Sequence, residues 1–155
     1  MKIYVIAVGQ RLPGFINDGV NEYLQRFPPH FPVILREIKA VNKQGNNKEI
    51  TMQAERIKIL DAIPPNAFIC VLDELGEKWS SKKLSQQIVH WQSAAQDIAF
   101  IIGGADGIDK TLKSQAHYQL SLSNMTLPHG LARLILIEQI YRAWTITQNH
   151  PYHRE

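Results

Sequence analysis

The sequence predicts an α/β fold, a mostly parallel sheet with helices on both faces. Short apolar, β-branched runs alternate with longer segments of helical spacing along the whole chain. Proline, glycine and asparagine clusters mark the boundaries between them. No repeat, low-complexity tract or linker interrupts this order, so the 155 residues are expected to form one domain, 1–155.

The elements follow in order. Residues 2–8 read as a first strand, ending at Gly9. A helix is expected over 14–27, with Phe15, Val20, Tyr23, Leu24 and Phe27 on one stripe, and Pro28-Pro29 ends it. Residues 32–38 form a second strand, and the polar stretch 41–48, with Gly45 and several Asn, reads as a loop. The next helix covers 48–62 with Ile50, Ala54, Ile57 and Leu60 or Asp61 at helical spacing, and Pro64-Pro65-Asn66 breaks it. Residues 67–72 are the third strand and 73–79 a loop. Ser80 or Ser81 caps a helix running to about Ala94, its stripe being Leu84, Ile88 and Trp91. Residues 98–102 are the fourth strand, 108–116 a short helix, 118–122 the fifth strand and 128–147 the last helix.

Composition narrows the classes. A hydrophobic content of 45% with 20% charged residues is ordinary for a globular protein. The lone cysteine, Cys70, permits no intrachain disulfide, fits a reducing, cytoplasmic compartment and reads as a core thiol. The apolar start ends at Gly9 with no cleavage region after it, so it reads as a strand and not as a signal peptide. No run approaches the ~20 apolar residues of a membrane span, so no membrane role is expected. A net charge of +3 permits an anionic partner such as RNA without requiring one.

In parallel sheets ligands sit beyond the carboxyl ends of the strands. The loops at 73–78, 103–107 and 123–127 therefore become the candidate site. Gly103-Gly104-x-x-Gly107 leaves a buried strand and enters a helix, either as a tight turn or as backbone brought close to a ligand. A dinucleotide fingerprint would follow the first strand, and none does; no phosphate loop of the Walker type is present either. The loop Ser123-Asn124-Met125-Thr126 exposes backbone groups that suit a flat heterocycle such as adenine, or it simply enters the last helix with Thr126 as a cap. That helix is apolar nearly all round, so it must be buried on most sides. A domain this small can do so against a second copy, which predicts a homodimer through the C-terminal helix. Glu138 and Arg142 stand at i,i+4 in the favourable order for an ion pair. The chain then ends on a polar, aromatic tail from Asn149 to Glu155. His150 and His153 have no Cys partners and no H-E-x-x-H pattern, so no metal is expected.

The residues from Gly103 through 122–129 to Tyr141-Arg142-Ala143 and the ending 149–155 closely resemble the RlmH family, the small SPOUT-class methyltransferases of bacteria. The likeness spans the chain, including Ile6-Ala7-Val8-Gly9 and Glu22-Tyr23-x-x-Arg26-Phe27. It implies a homodimer with a C-terminal trefoil knot, a feature no periodicity reveals. It also implies that S-adenosyl-L-methionine is the methyl donor. The product would be N3-methylated pseudouridine in 23S ribosomal RNA of the assembled ribosome. Carried over by position, Leu72, Gly103, Gly104, Leu122, Ser123, Asn124, Met125, Thr126 and Leu127 would contact the donor. His129, Arg142, Tyr152, His153 and Arg154 would face the target nucleotide.

Such a transfer needs donor and acceptor placed at near-attack distance and the N3 proton removed. His129 or His153 is suited to take the proton, and Arg142 or Arg154 to stabilise charge or hold a phosphate. Tyr152 is suited to stack on the base. Tyr23 and Arg26 share a helix and either approach a partner's pocket or form an exposed face. Two other readings stay open on the residues alone: a non-catalytic RNA- or ribosome-binding module of the same fold, and a nucleotide enzyme of another α/β class.

Overall fold

In this computed structural model, which describes residues 1–42 and 47–153, strands and helices alternate throughout. The order is β1 (Ile3–Val8), α1 (Gly14–Leu24), β2 (Val33–Ile38), α2 (Lys48–Ala62), β3 (Phe68–Lys78), α3 (Ser81–Ser93), β4 (Ile98–Ile102), α4 (Lys110–Gln115), β5 (Tyr118–Ser121) and α5 (His129–Thr147). The strands form one sheet in the order β2-β1-β4-β3-β5, and each neighbouring pair is parallel. Parallel neighbours cannot be joined by hairpins, which is why each connection carries a helix.

β1 and β4 are buried at every position, because both sheet faces are covered. Ile3, Val5 and Ala7 enter one core with Ile16 and Val20 of α1, Leu84, Ile88 and Trp91 of α3, and Leu136, Ile137 and Ile140 of α5. Tyr4, Ile6 and Val8 enter the other, against Ile59 of α2 and Leu112 of α4. The period of two along β1 thus sorts its side chains between two cores. Trp91 is wholly buried and packs edge-on to Phe100 and Tyr118. A side chain of that size contributes upwards of about 3 kcal/mol by its burial. Cys70 is fully buried, and burial pushes its thiol pKa up, as a core thiol requires.

Three expectations need correction. The apolar stripe of α2 is misplaced: Ile50, Ile57 and Leu60 are exposed, and Thr51, Glu55 and Ile59 face the protein. The helix therefore turns two polar residues inward: Glu55 accepts the Val41 N–H, and the Thr51 hydroxyl donates to the carbonyl of the N-cap residue Asn47. Phe15 of α1 is likewise exposed, and Ile16 takes the inner position. Residues 73–79 are not simply a loop. β3 leaves the ladder after Leu72, makes an excursion through 73–76 and returns, so that both Leu72 and Glu77 stand opposite Leu120. The return passes so close to β5 that a Cβ on Gly76 would lie 2.7 Å from the backbone carbonyl of Gln119.

Caps follow the chemistry expected of them. Ser80 accepts the Lys83 N–H at 3.0 Å, and Asp109 accepts those of Thr111 and Leu112. α5 has no side-chain cap at its start, where Pro128 and not Thr126 is the N-cap residue. At its other end Asn149 turns left-handed, with φ +52°, and the His150 N–H returns to the Thr145 carbonyl at 3.0 Å. This Schellman arrangement satisfies the last carbonyls and reverses the chain.

Candidate methyl-donor cleft and C-terminal tail

The carboxyl ends of β3, β4 and β5 open into a cleft of about 560 Å³, within the range of small-molecule sites. Its wall includes Leu72, Gly103, Gly104, Leu122, Ser123, Met125, Thr126 and Leu127, all expected at the donor site, together with His129 from the first turn of α5. Asn124 is exposed and is not part of this wall.

The glycine loop has its own reasons for glycine. A Cβ on Gly103 would stand 2.7 Å from Ile108 and 2.9 Å from the Gly107 backbone, so the loop closes on itself only without side chains there. The Gly107 N–H meets the Gly104 carbonyl at 3.0 Å, and Gly107 has φ +86°. The loop after β5 is shaped by Ser123, whose carbonyl accepts the Ser121 hydroxyl and whose own hydroxyl accepts the Met125 N–H. The two loops thus bring backbone groups to the cleft beside the apolar side chains of Leu72, Leu122 and Leu127.

Several cleft residues escaped the sequence reading. Asp73 and Lys113 line the wall and pair at 2.7 Å, tying the β3 excursion to α4. Burial raises the Asp73 pKa, but the Lys113 ammonium and the Leu75 amide outweigh it and hold the carboxyl below its usual range. Behind the glycine loop, Glu55 lies where a Cβ on Gly104 would come within 3.2 Å of its carboxylate, and it accepts the Val41 N–H at 3.4 Å. Burial, together with Asp106, pushes the Glu55 pKa up. Beside it Arg56 pairs with Asp109 at 3.0 Å, fastening the downstream end of the loop to α2. Asp73 lies in a loop that the topology flags; Glu55 and Arg56 carry no local signal, since only packing brings α2 behind the glycines.

His129 stands where the cleft meets the end of β1: a Cβ on Gly9 would lie 3.9 Å from its Nε2 and 3.7 Å from the Arg133 guanidinium. Arg133 is buried and paired with Glu37 at 2.8 Å, and it donates to the Gly9 carbonyl at 2.8 Å. A buried guanidinium persists only when paired in this way, and here it locks α5 to the ends of β1 and β2.

The tail lies elsewhere. Glu138 and Arg142 form the expected i,i+4 pair at 2.9 Å. The Tyr152 hydroxyl lies 2.9 Å from a Glu138 oxygen and 3.0 Å from the Tyr23 hydroxyl. Its ring stands edge-on to Tyr141 at 4.8 Å, with the Arg142 guanidinium 5.1 Å from its centre. Arg26 lies over Tyr23, Tyr141 and Tyr152 at 4.7, 5.6 and 5.8 Å. Burial, then Tyr23 and Glu138, push the Tyr152 pKa up, so the phenol keeps its proton. His153 places Nδ1 at 3.3 Å from the Thr145 hydroxyl. Arg154 and Glu155, like Lys43, lie outside the described residues. Tyr23, in the last turn of α1, and the exposed Arg26, just beyond its end, meet the tail of their own chain, so they do not share the one helix expected of them. From His129 to Arg142, however, α5 rises about 20 Å. One chain does not bring His129 together with Arg142, Tyr152 and His153.

A parallel α/β sheet with a loop-walled cleft beyond β3, β4 and β5 is the setting in which the comparisons with known proteins fall. The family profile described as "Predicted SPOUT methyltransferase" matches residues 1–153, and the chain belongs to the SPOUT methyltransferase family. At closer range it is 51% identical over 155 residues, 99% of each chain, to the "Ribosomal RNA large subunit methyltransferase H" of Burkholderia vietnamiensis. Proteins of the same name from Burkholderia ambifaria and Burkholderia multivorans are 50% identical over the same share. A solved structure described as a probable methylase family protein from Haemophilus influenzae shares the fold, with a TM-score of 0.60 at 12% identity over 99% of this chain and 70% of that one. Among the described residues, no helix is long and apolar enough to cross a membrane, and no three His, Cys, Asp or Glu side chains gather to hold a metal ion.

Proposed function

We propose that the protein methylates ribosomal RNA of the large subunit, at N3 of a pseudouridine in 23S RNA of the assembled ribosome, with S-adenosyl-L-methionine as donor. The observation that carries this reading is identity of 50–51% over essentially the whole chain to relatives named ribosomal RNA large subunit methyltransferase H. The cleft supports it: its volume suits a nucleoside-sized guest, its loop backbone suits an adenine edge, and Glu74 and Asp106 on its wall, beyond the Asp73–Lys113 pair, leave it an excess of negative charge suited to a cation. Bound there, the donor supplies a methyl group on a cationic sulfur. The residues of the chain hold it by Gly103, Gly104 and 122–127 and keep the β3 rim in place through Asp73 and Lys113. The acceptor nitrogen must lose its proton as the new bond forms, and His129 at the cleft or His153 of the tail takes it. Arg142 and Arg154 counter the developing negative charge.

The working unit in this reading is a homodimer through α5, knotted in its C-terminal part and cytoplasmic, like the ribosome it acts on. Leu131, Leu134, Ile135, Trp144 and Ile146 are only half-buried in one chain, an apolar surface suited to a second copy. The distance between His129 and the tail is then bridged by placing one subunit's tail at the other's cleft. Mass spectrometry of ribosomal RNA, after incubating unmodified ribosomes with protein and labelled donor, tests the activity; an unchanged pseudouridine would refute it. Mixing a cleft variant with a tail variant tests the composite site: regained activity is expected, and failure of every mixture would refute it.

A further inference from the structure

We infer that Tyr23, Arg26 and Glu138 form a receptor for the C-terminal tail, and that Tyr152 is a positioning residue which docks there so that His153 is presented in a fixed place. The inference rests on the reading of the tail as target-facing, but its geometry stands apart from the substrate.

The direction of the hydrogen bonds follows from the donors available. An ionised Glu138 carboxylate only accepts, so the Tyr152 hydroxyl must donate to it across 2.9 Å. That leaves a lone pair on Tyr152 to accept the Tyr23 proton across 3.0 Å. The same Glu138 oxygen takes the Arg142 guanidinium at 2.9 Å, so one carboxylate fixes both a tail residue and a helix residue. A phenol whose pKa is raised suits this relay, since it stays a donor.

The ring is occupied as well as the hydroxyl. Tyr141 and Tyr23 stand edge-on to it at 4.8 and 6.4 Å, and the Arg142 and Arg26 guanidinium groups lie over it at 5.1 and 5.8 Å. A base stacked on Tyr152, the role its residue type suggests, would share the half-buried ring with these neighbours. The chain path agrees. Asn149 reverses the backbone at the end of α5, and Pro151 narrows the conformations of the return. Tyr152 then reaches back to Glu138, fourteen residues earlier, and across to α1, 129 residues earlier. Its next neighbour His153 is thereby set against Thr145.

Tyr23→Phe and Tyr152→Phe keep every ring and remove one or both hydroxyl contacts. Hydrogen exchange of the peptide 148–155, followed by mass spectrometry in the full-length protein without RNA, reads the docking directly. Exchange is expected to quicken roughly fivefold in both variants, as loss of a net hydrogen bond permits. Calorimetry should find donor affinity unchanged, and methylation of ribosomes should fall in turnover more than in apparent ribosome affinity. Unaltered exchange in both variants would overturn the receptor. Faster exchange with full methylation would overturn the positioning role. If the wild-type protein methylates no ribosomal RNA, the proposed function fails while the exchange result still decides the docking.

Discussion

The two ends of α5 hold sites of different construction. At its start, the cleft is lined by the glycine loop, by apolar side chains such as Leu72, Leu122 and Leu127 and by the Asp73–Lys113 pair, and it is braced from behind by Glu55 and Arg56. At its finish, Tyr23, Arg26, Glu138, Arg142 and Tyr152 interlock by their side chains alone. The glycine loop leaves no room for an added Cβ where the chain doubles on itself. The side-chain dock should only loosen when a single hydroxyl is removed, by about one net hydrogen bond. Under the proposed function the contrast would fit their work: a donor of constant shape suits a close-packed cradle, and a target reached on a large particle suits a terminal segment secured by a few detachable contacts.

The largest expected effect tests the rigidity of the first end. Gly76→Ala puts a Cβ 2.7 Å from the Gln119 backbone, which no rotamer change relieves. Urea denaturation should record a loss of about 3 kcal/mol or more; an unchanged midpoint would mean that β3 returns along another path. Gly103→Ala comes next. Its neighbours are Cγ1 of the buried, β-branched Ile108 at 2.7 Å and the Gly107 backbone at 2.9 Å, and neither yields easily. Donor affinity measured by calorimetry should fall more than tenfold, about 1.4 kcal/mol, while the protein stays folded. At the other end, Arg142→Ala should reduce methyl transfer by roughly 100-fold, as loss of a charge-stabilising donor does, and leave donor affinity intact. A matching loss of donor binding would erase the division between the ends.

The smallest effect concerns the brace. Glu55 has a folded pKa raised by burial and by Asp106, so the folded state holds its proton more tightly than the unfolded one. Stability from this group is present below the unfolded value and is lost as pH rises through the folded value. Glu55→Gln should therefore match wild type in acid and become the more stable of the two toward neutral pH, by thermal unfolding across that range. Parallel curves would show the carboxylate to be compensated.

The same contrast governs how much the sequence discloses. The strands were legible because β1 and β4 are apolar at every position, and the cleft because Gly103, Gly104 and Gly107 announce a loop beyond a buried strand. Asp73 sat in a flagged loop, yet its partner Lys113 comes from α4 and leaves no local trace. The α2 stripe misled because Ile50 and Ile57 obey helical spacing while Thr51 and Glu55 face the loops. The tail drew notice as a polar, aromatic ending, and family likeness suggested the target-facing role proposed for it. Its dock was not, since Tyr23 and Tyr152 are 129 residues apart and share no pattern.

The excursion of β3 has a consequence for how this fold can vary. Because Leu72 and Glu77 both stand opposite Leu120, the residues between them add nothing to the count of paired positions. A longer or shorter span there would leave the register on either side as it is, provided the glycine at its return is kept. The lip of the cleft, with Asp73 and Glu74 on its wall and Leu75 almost wholly in solvent, is thus a segment whose length the sheet beneath it does not dictate.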